Sequence, residues 1–509
     1  MDGVTPHPDP ALCAALATDL RAARFRSEAL RAAWGVAADD AIGRGLRVPA
    51  LRGLGDRRDP LATLGRLLVL GVTQPRAEVD AALPTLRAAG LQQLGLAQAG
   101  DVVEPRAVIR PQSYLDAEGA GEWWLASDLD EIATGGGALA EDHVLGAGGA
   151  SLTLAGLQLP TRAARVLDLG TGCGIQALRA RRYAASVVAT DLSERALAFA
   201  RLNAQLNQDD RIETRQGSLF DPVAGETFDR IVSNPPFVIT PRVHGVPGYE
   251  YRDGGLVGDA LVARVVQSAG AHLVPGGVAQ LLGNWETRDG VDGLERVRAW
   301  VSASPVPLDA WVVEREQLNP IQYAEMWIRD GGTVPGSPRH DELLGAWLDD
   351  FAERGVTAIG FGYVLLRRAA GVPTLARYER VVQPIPSEGG LGAHFAHALA
   401  AHDRLAGMDD DALAASTLRT AADVTEARHH LPGIGDPQVI ELRQGAGFGR
   451  AIQVDPGLAA LVGACDGDLP VGPLVAAIAD LLEADGSALR AELLPRVREL
   501  LVDGFLTFA

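Results

Sequence analysis

Apolar residues recur at spacings of three and four in PALCAALATDLRAARF, PLATLGRLLVLG and RAEVDAALPTLRAAG, which predicts helices through residues 1–115. Breaks fall at Gly53 to Asp56, at Gly71 and at Gly90. VVEPRAVIRP then alternates, the period of a strand or hairpin. Helices followed by a small hairpin fit a winged-helix-like module and a plain helical cap equally. Gly119 to Asp130, with Trp123 and Trp124, reads as part of a connector over residues 116–139.

From about residue 140 the pattern alternates strand and helix. ARVLDLG, SVVATD, RIETRQGSLF, FDRIVSNPPF and GGVAQLLGNW read as strands. GIQALRARRYA, SERALAFARLNAQLN, DALVARVVQSAGAHL and GLERVRAWVSAS read as helices, and DAWVVERE and AIGFGYVLLRR complete the sheet. The expected fold class is α/β. A doubly wound, Rossmann-like sheet at 116–369 is flanked by a mainly helical N-terminal domain at 1–115 and a mixed α+β, winged-helix-like C-terminal domain at 370–509. RYERVVQPIPSEGG reads as the linker into that last domain. VIELRQGAGFGRAIQVD then reads as a hairpin, and FLTFA as a closing strand after two helices.

The chain has 509 residues, with 47% apolar content and a mean hydropathy of +0.07. This is ordinary for a globular protein and is too long for one core. No run reaches membrane-spanning length without charge, and the N-terminus lacks a secretory pattern, so a cytoplasmic protein is expected. Cys13, Cys173 and Cys465 are scattered, which excludes a disulfide framework and a cysteine-based metal site. Net charge is −19 and every basic residue is arginine. Only residues 1–115 escape the acidity, with 14 Arg against 12 Asp and Glu. A bulk electrostatic grip on nucleic acid is therefore a poor match.

Four motifs carry chemistry. VLDLGTGCG sets Gly170, Gly172 and Gly174 at alternate positions after an apolar strand, so the backbone can turn sharply and approach a ligand. Asp168, just before them, suits a cationic, amino-acid-bearing ligand. Asp191, ending VVATD, is placed to accept from ribose hydroxyls, a reading favoured over Asp191 or Ser193 simply capping the next helix because the acid stands at the sheet edge about twenty residues beyond the glycines. GSLFD follows, with Ser218 and Leu219 set to lie beside a base. Last comes Asn234-Pro235-Pro236-Phe237. The Asn234 side-chain carbonyl and the Pro235 main-chain carbonyl can accept both hydrogens of an NH2 and aim its lone pair at an electrophile. The prolines stiffen the turn, and Phe237 offers a flat apolar face. With a nucleotide-type glycine turn upstream, the electrophile indicated is the methyl of S-adenosylmethionine.

In this order DLGTGCG, ATDLS, GSLFD and SNPPF resemble the class I methyltransferases of the small-domain type with an NPP-aromatic motif. These include ribosomal RNA guanine-N2, adenine-N6 and release-factor glutamine methyltransferases. The resemblance covers about half the chain at most. It implies that Asp168, Gly170, Thr171, Gly172 and Gly174 line the methionine end of S-adenosylmethionine. Asp191 would then hold the ribose, Ser218 and Leu219 the adenine, and Asn234 to Phe237 the reacting nitrogen. Many relatives carry an acid where Ser218 stands, and glutamine methyltransferases typically carry Tyr where Phe237 stands.

Two further segments are substrate candidates. EDHVLGAGGASLTL precedes the first strand, with His143 and Ser151; VHGVPGYEYRDGG follows the tetrapeptide, with Tyr249, Tyr251 and Arg252. Turn, capping or loop roles explain both segments as well. No metal is implied. The favoured acceptor is an exocyclic amine of ribosomal or transfer RNA, guanine N2 or adenine N6. A glutamine side chain in a protein is the alternative, and a silent scaffold retaining the fold or a small-molecule acceptor also stays open.

Overall fold

The structure, a computed structural model, describes residues 5–116, 118–134, 140, 142–243, 246, 254–386 and 390–509. Tyr249, Tyr251 and Arg252 lie outside the described residues. Two compact units emerge: residues 1–155 with 162–380, and residues 156–161 with 381–509.

The first unit is built on an eight-stranded sheet. Its strands are β1 (Ala163–Leu169), β2 (Ala184–Asp191), β3 (Ile212–Gln216), β4 (Phe228–Ser233), β5 (Leu273–Arg288), β6 (Leu308–Leu318), β7 (Val356–Arg368) and β8 (Ala376–Arg380), in the order β8-β6-β7-β5-β4-β1-β2-β3. The five strands from β5 to β3 run parallel, and β7 is antiparallel to both β5 and β6. Strands β1 and β4 end in unbroken buried runs because helices cover both faces of the sheet. Helices α1 (Ile175–Ala180), α2 (Glu194–Leu206), α3 (Ala260–Ala269) and α4 (Gly293–Ser302) make these layers. The Rossmann-like α/β class is thus observed. The order reverses between β1 and β4, and such a switch point opens a crevice at the carboxyl ends of the strands.

Three stretches depart from the sequence reading. Gly119–Asp128 is a strand paired with Ala107–Asp116, not a connector, because its Trp123 and Trp124 are buried in the core that also holds Cys13, Phe25 and Phe199. RYERVV begins with β8, which pairs with β6, so the sheet extends to residue 380. Between β6 and β7 stand two unanticipated helices, α5 (Pro320–Asp330) and α6 (Pro338–Glu353). Asn319 and Gln322 form a capping box at the start of α5, and Ser337 caps α6.

Residues 1–115 share one apolar core with α1 and α2. Within them, Gln74–Pro75, two helices, Ala97–Ala99 and Val102–Pro105 give strand, helix, helix, strand, strand, with the last strand in the middle of its sheet. The second unit repeats that spatial order differently. Asp466–Pro470, helices Val471–Leu481 and Gly486–Asp503, and Leu506–Phe508 come in sequence, but Thr417–Thr420 fills the middle place. That unit has its own core, with Leu418, Leu458, Val497 and Phe505 fully buried. Among the described residues, no helix is long and apolar enough to cross a membrane.

Candidate active site

Strand register brings three motifs to one level. Leu169 of β1 pairs with Thr190 of β2 and with Ser233 of β4. Gly170, Asp191 and Asn234, each one residue further on, therefore stand side by side at the carboxyl edge. A register slip of one residue would turn every side chain to the opposite face, so burial of both faces fixes this alignment. Ser233 reinforces it, its hydroxyl donating to the Leu169 carbonyl at 2.7 Å.

The glycine turn needs its glycines. Gly170, Gly172 and Gly174 have φ of +74°, +53° and +89°, which L side chains rarely adopt. The N–H groups of Gly170 and Thr171 both donate to the Thr190 carbonyl at 2.9 Å, pinning the turn to the end of β2. A Cβ on Gly170 or Gly172 would meet nothing within 4 Å, whereas one on Gly174 would press on Ala200 of α2. The first two glycines thus border open space, and the third allows close helix packing.

Asp168 beneath the turn is 0% exposed. Its Oδ2 accepts from the Thr171 hydroxyl at 2.6 Å, while Oδ1 is buried without a hydrogen-bond partner. Burial pushes its pKa up to about 7, against the opposing pull of the Thr171 hydroxyl and the Ala177 N–H. A buried carboxylate with an idle oxygen is costly unless a donor arrives. An ammonium group, as on the methionine end of S-adenosylmethionine, would satisfy that oxygen and restore the charge. Asp191 is also pushed up by burial; its Oδ2 accepts from Gly172 N–H at 2.9 Å and Oδ1 from Ser193 N–H at 2.9 Å. It is Ser193 that caps α2. Asp191 therefore braces the glycine turn, and each oxygen keeps lone-pair capacity for a ribose hydroxyl. Leu219, with φ of +46°, is half-buried and Ser218 is exposed, both just past β3.

Asn234 presents a second idle acceptor, for its Oδ1 is buried without a hydrogen-bond partner. Pro235 is buried, and Phe237 is half-buried with its ring edge-on to Trp327 of α5 at 6.4 Å. Two buried acceptors thus stand on adjacent strands with complementary chemistry. Asp168 suits a cation, and Asn234 suits a neutral N–H.

His143 is placed differently from the open site a substrate contact needs. It is 7% exposed, with Nδ1 at 3.7 Å from Asp128, and burial lowers its basicity. Asp128 also accepts from Val144 N–H at 2.8 Å and pairs with Arg195 in the first turn of α2. The group ties the Gly119–Asp128 strand to the helix that follows Asp191. Beside it a cavity of about 310 Å³ is lined by Gly43, Asp130, Glu131, His143 and Asp330, among others.

Sequence reasoning missed Asn203. From inside α2 its Nδ2 donates to the carbonyls of Ala126 (2.9 Å) and Cys173 (2.8 Å), and its Oδ1 accepts from Ala126 N–H (2.7 Å). Asn207, one turn on, does the same for Trp124. Two asparagines four apart, one inside the helix and one at its C-cap, were the available signal.

Residues 144–289 match the family described as a methyltransferase small domain, and residues 22–108 match a domain of unknown function. A ribosomal protein uL3 glutamine methyltransferase of Bradyrhizobium diazoefficiens is 36% identical over 128 residues, 23% of this chain and 40% of that protein. A release factor glutamine methyltransferase of Xylella fastidiosa is 39% identical over 130 residues, 24% of this chain and 47% of that protein. A solved methyltransferase from Pyrococcus furiosus aligns with 42% of this chain and 77% of its own at 18% identity, with a TM-score of 0.24. The chain thus spans about half the length of the curated relatives it matches. Those relatives are named for glutamine, the acceptor that the sequence reading held as its alternative.

Proposed function

Residues 144–289 form a class I methyltransferase domain of the small-domain type, which takes S-adenosylmethionine, and from this premise we propose that the chain N-methylates the side-chain amide of a glutamine in a protein. The observation that carries the reading is the buried, partnerless Oδ1 of Asn234, level with Gly170 at the crevice. A primary amide is flat and its nitrogen lone pair is delocalised, so it is a weak nucleophile. Asn234 Oδ1 and the Pro235 carbonyl are the acceptors for its two hydrogens. Holding both turns the lone pair out toward the carbon to be transferred. Phe237 supports the amide plane.

The bound cofactor supplies an electrophilic methyl on a sulfonium. That methyl would be taken up by the amide nitrogen with sulfur as the leaving atom, and the surplus proton would pass to water, so no side-chain base is required. Asp168 holds the cofactor's ammonium group, Asp191 its ribose, and the chain beside Ser218 and Leu219 its base. A protein substrate also sits better with a net charge of −19 than a polyanion does.

The test is direct. Mass spectrometry of release factors and ribosomal proteins from a deletion strain is expected to show one glutamine lacking its methyl group. Purified protein with labelled cofactor is expected to restore it. Full methylation of these proteins in the deletion strain, with unmethylated RNA instead, would overturn the proposal.

A further inference from the structure

The Asn-Pro-Pro-Phe floor works only if its acceptors hold still, and its two ends are anchored by different means. Upstream, Ser233 is locked in the sheet. Downstream the chain leaves the sheet, and the anchor comes from the helical pair inserted between β6 and β7. Tyr323 of α5 is 0% exposed, and its hydroxyl accepts from the Ile239 N–H at 3.0 Å, two residues past Phe237. The same hydroxyl accepts from Asn284 Nδ2 at 2.8 Å. Asn284 lies on β5 and is 1% exposed, with its Oδ1 buried and without a hydrogen-bond partner.

An apolar residue at 284 would spare the orphaned Asn284 Oδ1, whereas one at 323 would strip the Ile239 N–H of its partner, and an orphaned polar atom costs about 1–3 kcal/mol. The ring of Tyr323 packs against Trp347 and Phe351, so burial alone does not require the hydroxyl. The hydroxyl's role is its grip on main chain. We propose that Tyr323, seated by Asn284, is a positioning residue for methyl transfer, clamping the chain behind Phe237 so that the floor holds Asn234 and Phe237 in register with the glycine turn. The inference rests on the function proposed above and deepens it. It assigns to the inserted helices the second anchor of the catalytic turn.

The test uses the full chain and labelled cofactor, with release factors or ribosomes as acceptor, whichever the wild type labels. Tyr323→Phe keeps the ring and removes only the clamp. Its kcat is expected to fall about ten- to a hundredfold, the effect of a small misplacement of reacting groups, with KM and cofactor affinity close to wild type. Asn284→Ala is expected to give a smaller loss, and to add nothing in the Tyr323→Phe background, since both act through one hydroxyl. Trp347→Phe serves as the packing control, with a lower melting temperature and unchanged kcat per folded molecule. Wild-type kcat in Tyr323→Phe, or a loss that only tracks melting temperature or cofactor affinity, would overturn the inference and leave the proposed function standing. A wild type that labels no protein would remove both.

Discussion

Two side chains, Asp168 and Asn234, each bury an oxygen without a hydrogen-bond partner, and each predicts a separate consequence. Asp168 has its pKa raised to about 7 in the folded chain, against about 3.9 when unfolded. The folded state therefore holds the extra proton between those values, and this group's contribution to stability declines as pH rises through that window. A cationic ligand reverses the penalty only when the carboxylate is charged. The gain in melting temperature on adding S-adenosylmethionine is expected to be larger at pH 8 than at pH 6, and Asp168→Asn should abolish the difference. An equal gain at both pH values would remove the carboxylate from cofactor binding. Asn234→Ala, by contrast, should leave cofactor affinity intact and eliminate turnover, as seen by calorimetry and label transfer on one sample. Both positions were legible in the sequence, because DLGTGCG and NPPF are short motifs whose chemistry is local. Their isolation in the fold was not, since it depends on what neighbouring strands fail to offer.

At the scale of elements, the Gly119–Asp128 strand and α2 are fastened through Asn203 and Asn207 instead of a regular ladder. Asn203→Ala leaves an N–H and two carbonyls without partners, a loss of about 3 kcal/mol on the usual cost of such groups. Because one of those carbonyls belongs to Cys173 within the glycine turn, cofactor affinity should weaken in the same variant. Urea unfolding and a binding titration check the pair; lost stability with unchanged affinity would confine Asn203 to packing. Strand and helix periods were readable for the parallel half of the sheet. They failed for Gly119–Asp128 because its tryptophans and glycines hide the alternation. The stretch between DAWVVERE and AIGFGYVLLRR carries α5 and α6, for which NPIQ is the local capping signal.

Across the whole molecule, charge is the plainest determinant of partners. A chain with net charge −19 should show no retention of transfer or ribosomal RNA in a mobility-shift assay at physiological ionic strength. A salt-sensitive RNA complex would contradict this. The cavity of about 410 Å³ at the amino edge of β1 and β2 does not alter it. Its Arg181 and Arg182 are paired with Asp209 and Asp116.

The sequence by itself determined the α/β class, the sharp glycine turn and the proline-stiffened Asn-Pro-Pro-Phe end of a strand, because periodicity, positive-φ glycines and proline stiffness act within a few residues. Only the tertiary structure decided that Gly170, Asp191 and Asn234 stand level, and that Tyr323 reaches the main chain of Ile239 across 84 positions. Strand register and long-range hydrogen bonds join residues whose proximity no local pattern encodes.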